Sequence, residues 1–236
     1  MKAMLLAAGR GERMRPLTDE TPKPLLTAGG RPLIDYHLLA LARAGIREVV
    51  VNLSWQAPKL RAHLGDGSRF GLAVHLSEEG PVPLETGGGI HHALDRLGPG
   101  PFLVVNGDVW TDFPLETLSL PAGMLAHLVL VPNPPQHPAG DFWLQPDGRI
   151  GDAGERGTYS GIAAFDPALF SGCSPGRFPL KPLLDRARQA GRLSGESWQG
   201  RWYDVGTPER LAALDEALRS GAFTHPAVGA SPARAR

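Results

Sequence analysis

Cysteine is almost missing from this chain. Cys173 stands alone among 236 residues, so no internal disulfide can staple the fold, and a reducing cytoplasm is the expected setting. It lies in a turn-like SGCSPG, which reads as a structural position, not a catalytic thiol. Net charge is missing too: 24 Lys+Arg balance 24 Asp+Glu. No basic stripe invites nucleic acid, and nothing favours an anionic membrane surface. No apolar run approaches the roughly 20 residues that cross a bilayer. Strand-like sequence follows directly on Lys2, so no signal peptide is expected. Histidines at H-E-x-x-H spacing are absent, which argues against a zinc site, and no Ser-His-Asp or Cys-His array is legible. Lysine is scarce: only Lys2, Lys23, Lys59 and Lys181 are lysine. In an arginine-rich chain, a lysine kept between two prolines, Lys23, points to a role that needs a compact ammonium.

What is present begins with Leu5–Leu26, LLAAGRGERMRPLTDETPKPLL. An apolar strand turns at once into a glycine-bearing basic loop and then reaches Pro-Lys-Pro. Gly9 and Gly11 let the backbone approach an anion and present its N–H groups. Arg13 can fork onto phosphate oxygens, and Lys23 can add a point charge. Gly-x-Gly after a strand also serves as an ordinary turn, and a dinucleotide-binding loop is the nearest functional competitor. That loop needs a third glycine, where this chain has Met14. It also needs an acid after the second strand, where this chain has Asn52-Leu53-Ser54.

Along the chain, strand and helix alternate through the first half. KAMLLA, REVVVNL, LAVHLS and PFLVVNGD (ending in Asp108) read as strands. Residues 32–44, 56–64 and 88–97 read as helices. A parallel, Rossmann-like three-layer α/β unit follows, with ligands at the carboxyl ends of the strands, near Ala8, Asn106 and Asp108. The second half adds a strand at MLAHLVLV, a hairpin around Pro-Asp-Gly in DFWLQPDGRIG, and a strand at TYSGIAAF. Two proline-opened helices complete it, at 179–190 and 208–219. The expected sheet is therefore mixed and mainly parallel. One domain over residues 1–220 is expected, followed by a flexible Ala/Pro/Gly-rich tail over 221–236.

Two acids stand out. Asp108 in NGDVWTD follows a buried strand, and Asp204 in RWYDVGTPERL precedes a helix. Each lies beside a strand end that opens onto one cleft, and a few carboxylates completed by phosphate and water suit Mg²⁺. Turn or capping roles remain open for both. A D-x-D metal motif is not met, because Trp110 stands two residues after Asp108.

The string L-A-A-G-x-G-x-R-M-x-P-L-T followed by P-K-P, together with N-G-D and W-x-D-V-G-T, resembles the signature of the sugar-nucleotide pyrophosphorylases, nucleotidyltransferases acting on sugar 1-phosphates. The resemblance runs to about Leu218 and implies the nucleotide-diphospho-sugar transferase fold, with a nucleotide-binding half over about 1–112 and a sugar-binding half over about 113–220. It implies that Ala8, Gly9, Gly11, Glu12, Asn106 and Gly107 hold the nucleotide, with Arg13 and Lys23 as the catalytic cations. It puts Gly87 and Gly88 of LETGGGI against the base, and Asp108 and Asp204 on the magnesium. Asn106, Gly140, Asp141, Glu155, Ser160 and Gly161 would hold the sugar. Relatives often carry a lysine after that glutamate; here it is Arg156. GDGSRFGL, LETGGGI and RWYDVGT resemble the uridylyl-transferring branch, implying UTP as donor and N-acetylmuramate 1-phosphate as acceptor. The mannose 1-phosphate guanylyl-transferring branch is the rival, and it often shows G-T-A-G where this chain has E-T-G-G. A non-catalytic sugar-nucleotide sensor is the alternative from another class. The length suits a lone catalytic domain and allows a monomer.

Overall fold

Near-continuous apolar strands need cover on both faces, and the helices of the first half supply it. The computed structural model describes residues 1–228. Strand β1 (Lys2–Leu6) leads through a loop into α1 (Leu17–Glu20), a small hairpin of β2 (Thr27–Ala28) and β3 (Arg31–Pro32), and α2 (Leu33–Arg43). Then come β4 (Glu48–Leu53), α3 (Ala57–Leu64), β5 (Ala73–Glu78), α4 (Glu85–Leu97) and β6 (Phe102–Asn106). The four strands β6-β1-β4-β5 are parallel, with Ala3, Met4 and Leu5 opposite Val49, Val50 and Val51. Ala3, Leu5, Val49 and Val51 pack one way onto Ile34, Leu38 and Leu41 of α2 and Leu60 of α3. Met4, Val50 and Val104 pack the other way onto Ile90, Ala93 and Leu97 of α4. The chain runs outward from β1 through β4 to β5, then returns to the far side of β1 as β6. The crevice beyond Leu6 and Asn106 is therefore the topological switch point, where open α/β sheets bind ligands.

The second half extends the same sheet. Strand β7 (Val109–Thr111) leaves it, and β8 (Ala126–Val131), β9 (Phe142–Leu144), β10 (Ile150–Gly151) and β11 (Glu155–Phe165) follow. β11 runs antiparallel to β6, β8 and β9, and β9–β10 is the expected hairpin. Helix α5 (Lys181–Gln189) leads to β12 (Leu193–Ser197), which lies parallel to β8. Strand β13 (Trp202–Asp204) pairs with β7 outside the main sheet, and α6 (Pro208–Arg219) opens on a Thr207 cap with proline in its first turn. The three-layer α/β arrangement with a mixed sheet is as expected.

Three differences matter. Helix α4 starts at Glu85, ahead of the glycines. Asp108 is not strand but turn, between β6 and β7. β7 and β13 have three residues each, too few for periodicity to reveal.

A third apolar cluster ties these short strands together. Trp110 of β7 is fully buried. Its ring meets Tyr36 of α2 at 6.1 Å, Tyr203 of β13 at 5.9 Å, Phe223 at 5.1 Å and His225 at 5.2 Å. Residues 223–228, expected within a flexible tail, thus pack on the core through Phe223, His225 and Val228. The aromatic content of that segment outweighs its Ala/Pro/Gly composition. The rest of the expected tail, 229–236, lies outside the described residues.

Burial of His37 and His225 in this region sets an acid limit. His37 donates to the Val109 carbonyl at 2.8 Å. Burial pushes its pKa down to about 4, and that of His225 also to about 4, with charge repulsion from His37 adding to the second shift. In the unfolded chain both take up a proton near pH 6.5. Between about pH 6.5 and pH 4 the unfolded state therefore binds more protons, and stability that is complete above this window is lost as pH falls through it. Up to about 3 kcal/mol per histidine is at stake. Thermal melts from pH 7 to pH 4 are expected to show a falling Tm, and His225→Phe to flatten the fall. A Tm independent of pH there contradicts the assignment.

Candidate active site

Gly11 shapes the loop after β1. It takes φ +68°, and a Cβ there would fall 3.1 Å from Thr18 Cγ2 and 3.2 Å from Lys23 Cβ. Only glycine fits this left-handed, crowded position without strain. The Gly11 carbonyl accepts from the Thr18 hydroxyl and from the Met14 N–H, each at 2.9 Å. Tied from behind, the loop leaves the N–H groups of Gly9 to Glu12 with no acceptor among the described residues. A concave run of free N–H groups suits an anion.

Lys23 sits between Pro22 and Pro24 on a 3-10 turn over Lys23–Leu25. It is only 7% exposed, and its ammonium donates to Asp108 Oδ2 at 2.8 Å. A lysine this buried requires a counter-charge, and Asp108 supplies it from the turn after β6. Pairing of β7 with β13 brings the second acid alongside. Asp204 stands opposite Val109, and the Val205 N–H donates to the Asp108 carbonyl at 2.9 Å. The Asp204 carboxylate pairs with Arg210 of α6. A Cβ on Gly206 would lie 3.0 Å from Asp204 Oδ1, 3.2 Å from Arg210 Nη1 and 3.3 Å from Arg13 Nη2. Two guanidinium groups and a carboxylate therefore crowd one point of backbone.

These groups surround a cleft of about 460 Å³. Of the residues expected at the nucleotide, Ala8, Gly9, Gly11, Glu12, Arg13, Lys23, Asn106 and Gly107 line it, as does Asp108, while Asp204 stands just behind the lining Gly206. Gly87 and Gly88 do not line it. A Cβ on Gly87 would strike the Phe178 ring at 2.6 Å, one on Gly88 the Gly176 carbonyl at 2.2 Å, and the Gly88 N–H is taken by the Phe178 carbonyl at 3.0 Å. The glycines let the chain around Phe178 press on α4. Glu85 and Thr86, just before them, reach the cleft instead. Glu85 holds φ +61°, a left-handed conformation unfavourable to a residue with a Cβ, and pairs with Arg177 at 2.9 Å.

A second cavity of about 410 Å³ adjoins the first through Glu85, Thr86 and Asn106. Of the residues expected at the sugar, Asn106 and Asp141 line it. The Asp141 carboxylate accepts the Tyr159 N–H at 2.8 Å and meets His137 Nε2 at 3.0 Å. Gly140, Glu155, Ser160 and Gly161 line neither space. Gly161, at φ +82°, would place a Cβ 2.8 Å from that of Asn106, so its bareness makes room for Asn106. The Ser160 hydroxyl accepts the Ile162 N–H at 3.2 Å and its carbonyl the Trp202 indole N–H at 2.8 Å, within the register shift of β11. Gly140 packs on Asn133, and Glu155 is exposed at the far end of β11.

Asn52 and Glu79 escaped the sequence reading. Asn52 Oδ1 accepts the Ala7 N–H at 2.6 Å, its amide donates to Glu79 Oε1 at 2.6 Å, and Glu79 Oε2 accepts the Leu84 N–H at 2.7 Å. This latch joins the start of the anion loop to the segment entering α4, and both residues line the cleft. The polar Asn52 ending an apolar strand was the available signal.

Residues 2–140 match the nucleotidyl transferase family. The chain belongs to that family. An N-acetylmuramate alpha-1-phosphate uridylyltransferase of Neisseria meningitidis serogroup B is 48% identical over 220 residues, covering 89% of this chain and 95% of that protein. One of the same name from Caulobacter vibrioides is 38% identical over 232 residues, covering 92% and 96%. A mannose-1-phosphate guanylyltransferase of Mycobacterium tuberculosis is 39% identical over 117 residues only, 49% of this chain and 32% of that protein. Among solved structures, a Bacillus anthracis protein provisionally named a glucose-1-phosphate thymidylyltransferase superposes with TM-score 0.81 over 95% of this chain and 97% of its own, at 20% identity. That likeness concerns the fold.

Removing the latch tests its part in the family site. Asn52→Ala strands the Ala7 N–H and Glu79 Oε1. A loss of about 1–3 kcal/mol in urea unfolding is expected, with KM for the nucleotide rising more than kcat falls. An unchanged unfolding midpoint together with an unchanged KM contradicts the latch.

Proposed function

We propose that this chain transfers a uridylyl group from UTP to N-acetylmuramate 1-phosphate, giving UDP-N-acetylmuramate and pyrophosphate, as in bacterial cell-wall recycling. The placement of Lys23, Arg13 and Asp108 on one cleft, with Asp204 beside its lining residue Gly206, supports the catalytic part of the reading. The substrate part rests on the two uridylyltransferase relatives, whose similarity extends over nearly the whole chain. We assign residues 1–112 to the nucleotide and 113–220 to the sugar within one domain.

In this reading an oxygen of the sugar 1-phosphate attacks the α-phosphorus of the triphosphate and pyrophosphate leaves. The nucleophile is already an anion near neutral pH, so no general base is required. The barrier lies in gathering like charges and in stabilising the leaving group, which makes positioning and electrostatics the main contributions. The loop N–H groups of Gly9 to Glu12 receive the triphosphate. Arg13 and Lys23 neutralise its oxygens, and Lys23 is pre-placed by Asp108. Asn106, at the junction of the two cavities, orients the acceptor. Asp108 and Asp204, whose backbones lie side by side, would hold a divalent cation in exchange for Lys23 and Arg210, with Mg²⁺ favoured: a few carboxylates suit an ion whose shell is completed by phosphate and water. When bound, that ion supplies further charge neutralisation across the phosphates.

Lys23→Ala, Arg13→Ala and Asp108→Ala are each expected to cost about 3 kcal/mol of transition-state stabilisation, on the order of a hundredfold in kcat/KM. Normal turnover by folded Asp108→Ala protein rejects the assignment. Substrate identity is tested by pyrophosphate release with Mg²⁺, crossing UTP, GTP, dTTP and CTP with N-acetylmuramate, N-acetylglucosamine, glucose and mannose 1-phosphates. UTP with N-acetylmuramate 1-phosphate is the expected pair. Preference for GTP with mannose 1-phosphate overturns the substrates, and no release from protein that binds a sugar nucleotide favours a sensor.

A further inference from the structure

Lys181 is one of only four lysines in the chain, and the catalytic reading does not use it. It opens α5 and is the one cation lining the second cavity among the described residues. Its ammonium lies 5.2 Å from the centre of the Phe142 ring, a contact that favours a cation at that place. Its charge is held by Asp185 one turn along, at 2.8 and 3.0 Å, with the lysine side chain 59% exposed. Exposed pairs of this kind are weak, so exchange of Asp185 for another carboxylate costs little. The two acids that share the cavity wall are occupied elsewhere. Asp141 serves the Tyr159 N–H and His137, and Glu85 serves Arg177. In the same wall the Tyr159 hydroxyl is buried with no hydrogen-bond partner among the described residues.

The cavity adjoins the catalytic cleft, sharing Glu85, Thr86 and Asn106 with it. An acceptor whose phosphate lies in the cleft extends the remainder of its sugar into this space. N-acetylmuramate differs from N-acetylglucosamine by an ether arm that ends in a carboxylate. We propose that Lys181 binds a carboxylate on the acceptor sugar and so sets a preference for an acidic N-acetylated sugar 1-phosphate over its neutral counterpart. The inference rests on the acceptor class proposed above and adds the residue that reads it.

The test is the ratio of kcat/KM for N-acetylmuramate 1-phosphate to that for N-acetylglucosamine 1-phosphate, with UTP and Mg²⁺, in the full chain. The wild type is expected to favour the acidic acceptor. Lys181→Met is expected to lower the ratio by about 10- to 100-fold, the usual range for a lost charge-assisted hydrogen bond. Lys181→Arg, which keeps the charge, is expected to retain more of the ratio, and Asp185→Asn, which frees the ammonium, to raise it. A wild-type preference that survives Lys181→Met overturns this inference and leaves the proposed function standing. So does an equal loss with both acceptors, which would mark Lys181 as structural or as a phosphate ligand. Failure of the wild type to use N-acetylmuramate 1-phosphate overturns the acceptor assignment and this inference together.

Discussion

The register between β7 and β13 is the constraint on which the catalytic cleft depends. These strands make only a three-residue ladder, yet it sets Asp204 beside the Asp108 turn. Backbone pairing alone over so short a span is weak. Trp110 reinforces it, with Tyr36 and Tyr203 packed against its ring from α2 and β13 and Phe223 and His225 from the chain after α6. The apolar cluster thus converts a long-range closure of the chain into a fixed relation between the backbones that carry Asp108 and Asp204. The ion pair of buried Lys23 with the half-exposed Asp108 adds a second bond between the anion loop and the same turn.

Around that closure, small backbones and short polar links take the place of a large binding apparatus. Gly11 allows Lys23 to approach the loop, Gly161 leaves space for Asn106, and Gly206 admits Arg13, Arg210 and Asp204 to one point. Asn52 and Glu79 fasten the loop to the entrance of α4. Phosphoryl chemistry asks mainly for charge held in place beforehand, and these contacts hold it without a proton-transferring residue. Glu85 keeps a left-handed backbone at the junction of the two cavities, the kind of local strain that clusters at ligand sites.

Much of this was legible in the sequence. Alternating apolar strands and amphipathic helices gave the three layers, because both depend on local periodicity. The anion loop was legible because its glycines, Arg13 and Lys23 lie within one short stretch. The two acids were legible as candidates for one cleft, but the pairing of β7 with β13 that sets them side by side was not. Gly87 and Gly88 do not line the cleft, and the sequence could not tell this: three glycines at a helix start look the same whether they admit a ligand or a neighbouring segment, and here Phe178 and Gly176 pack against them. Gly161 lies against Asn106 and Ser160 serves the Ile162 N–H and the Trp202 indole, and spacing says nothing of which face a bulged strand turns to the cavity. Asn52, Glu79 and Lys181 acquire meaning only through residues distant in sequence. The tail illustrates the same limit, because its composition suggests disorder while Phe223 and His225 are bound to Trp110.

The central claim is that Asp108 and Asp204 serve one divalent cation in one cleft. A double-mutant cycle in kcat/KM with Mg²⁺, using Asp108→Ala, Asp204→Ala and the pair together, tests it most directly. Two ligands of one ion act as a unit, so the double variant should lose about as much as the worse single variant. Losses that simply add would show two independent acids and contradict the account.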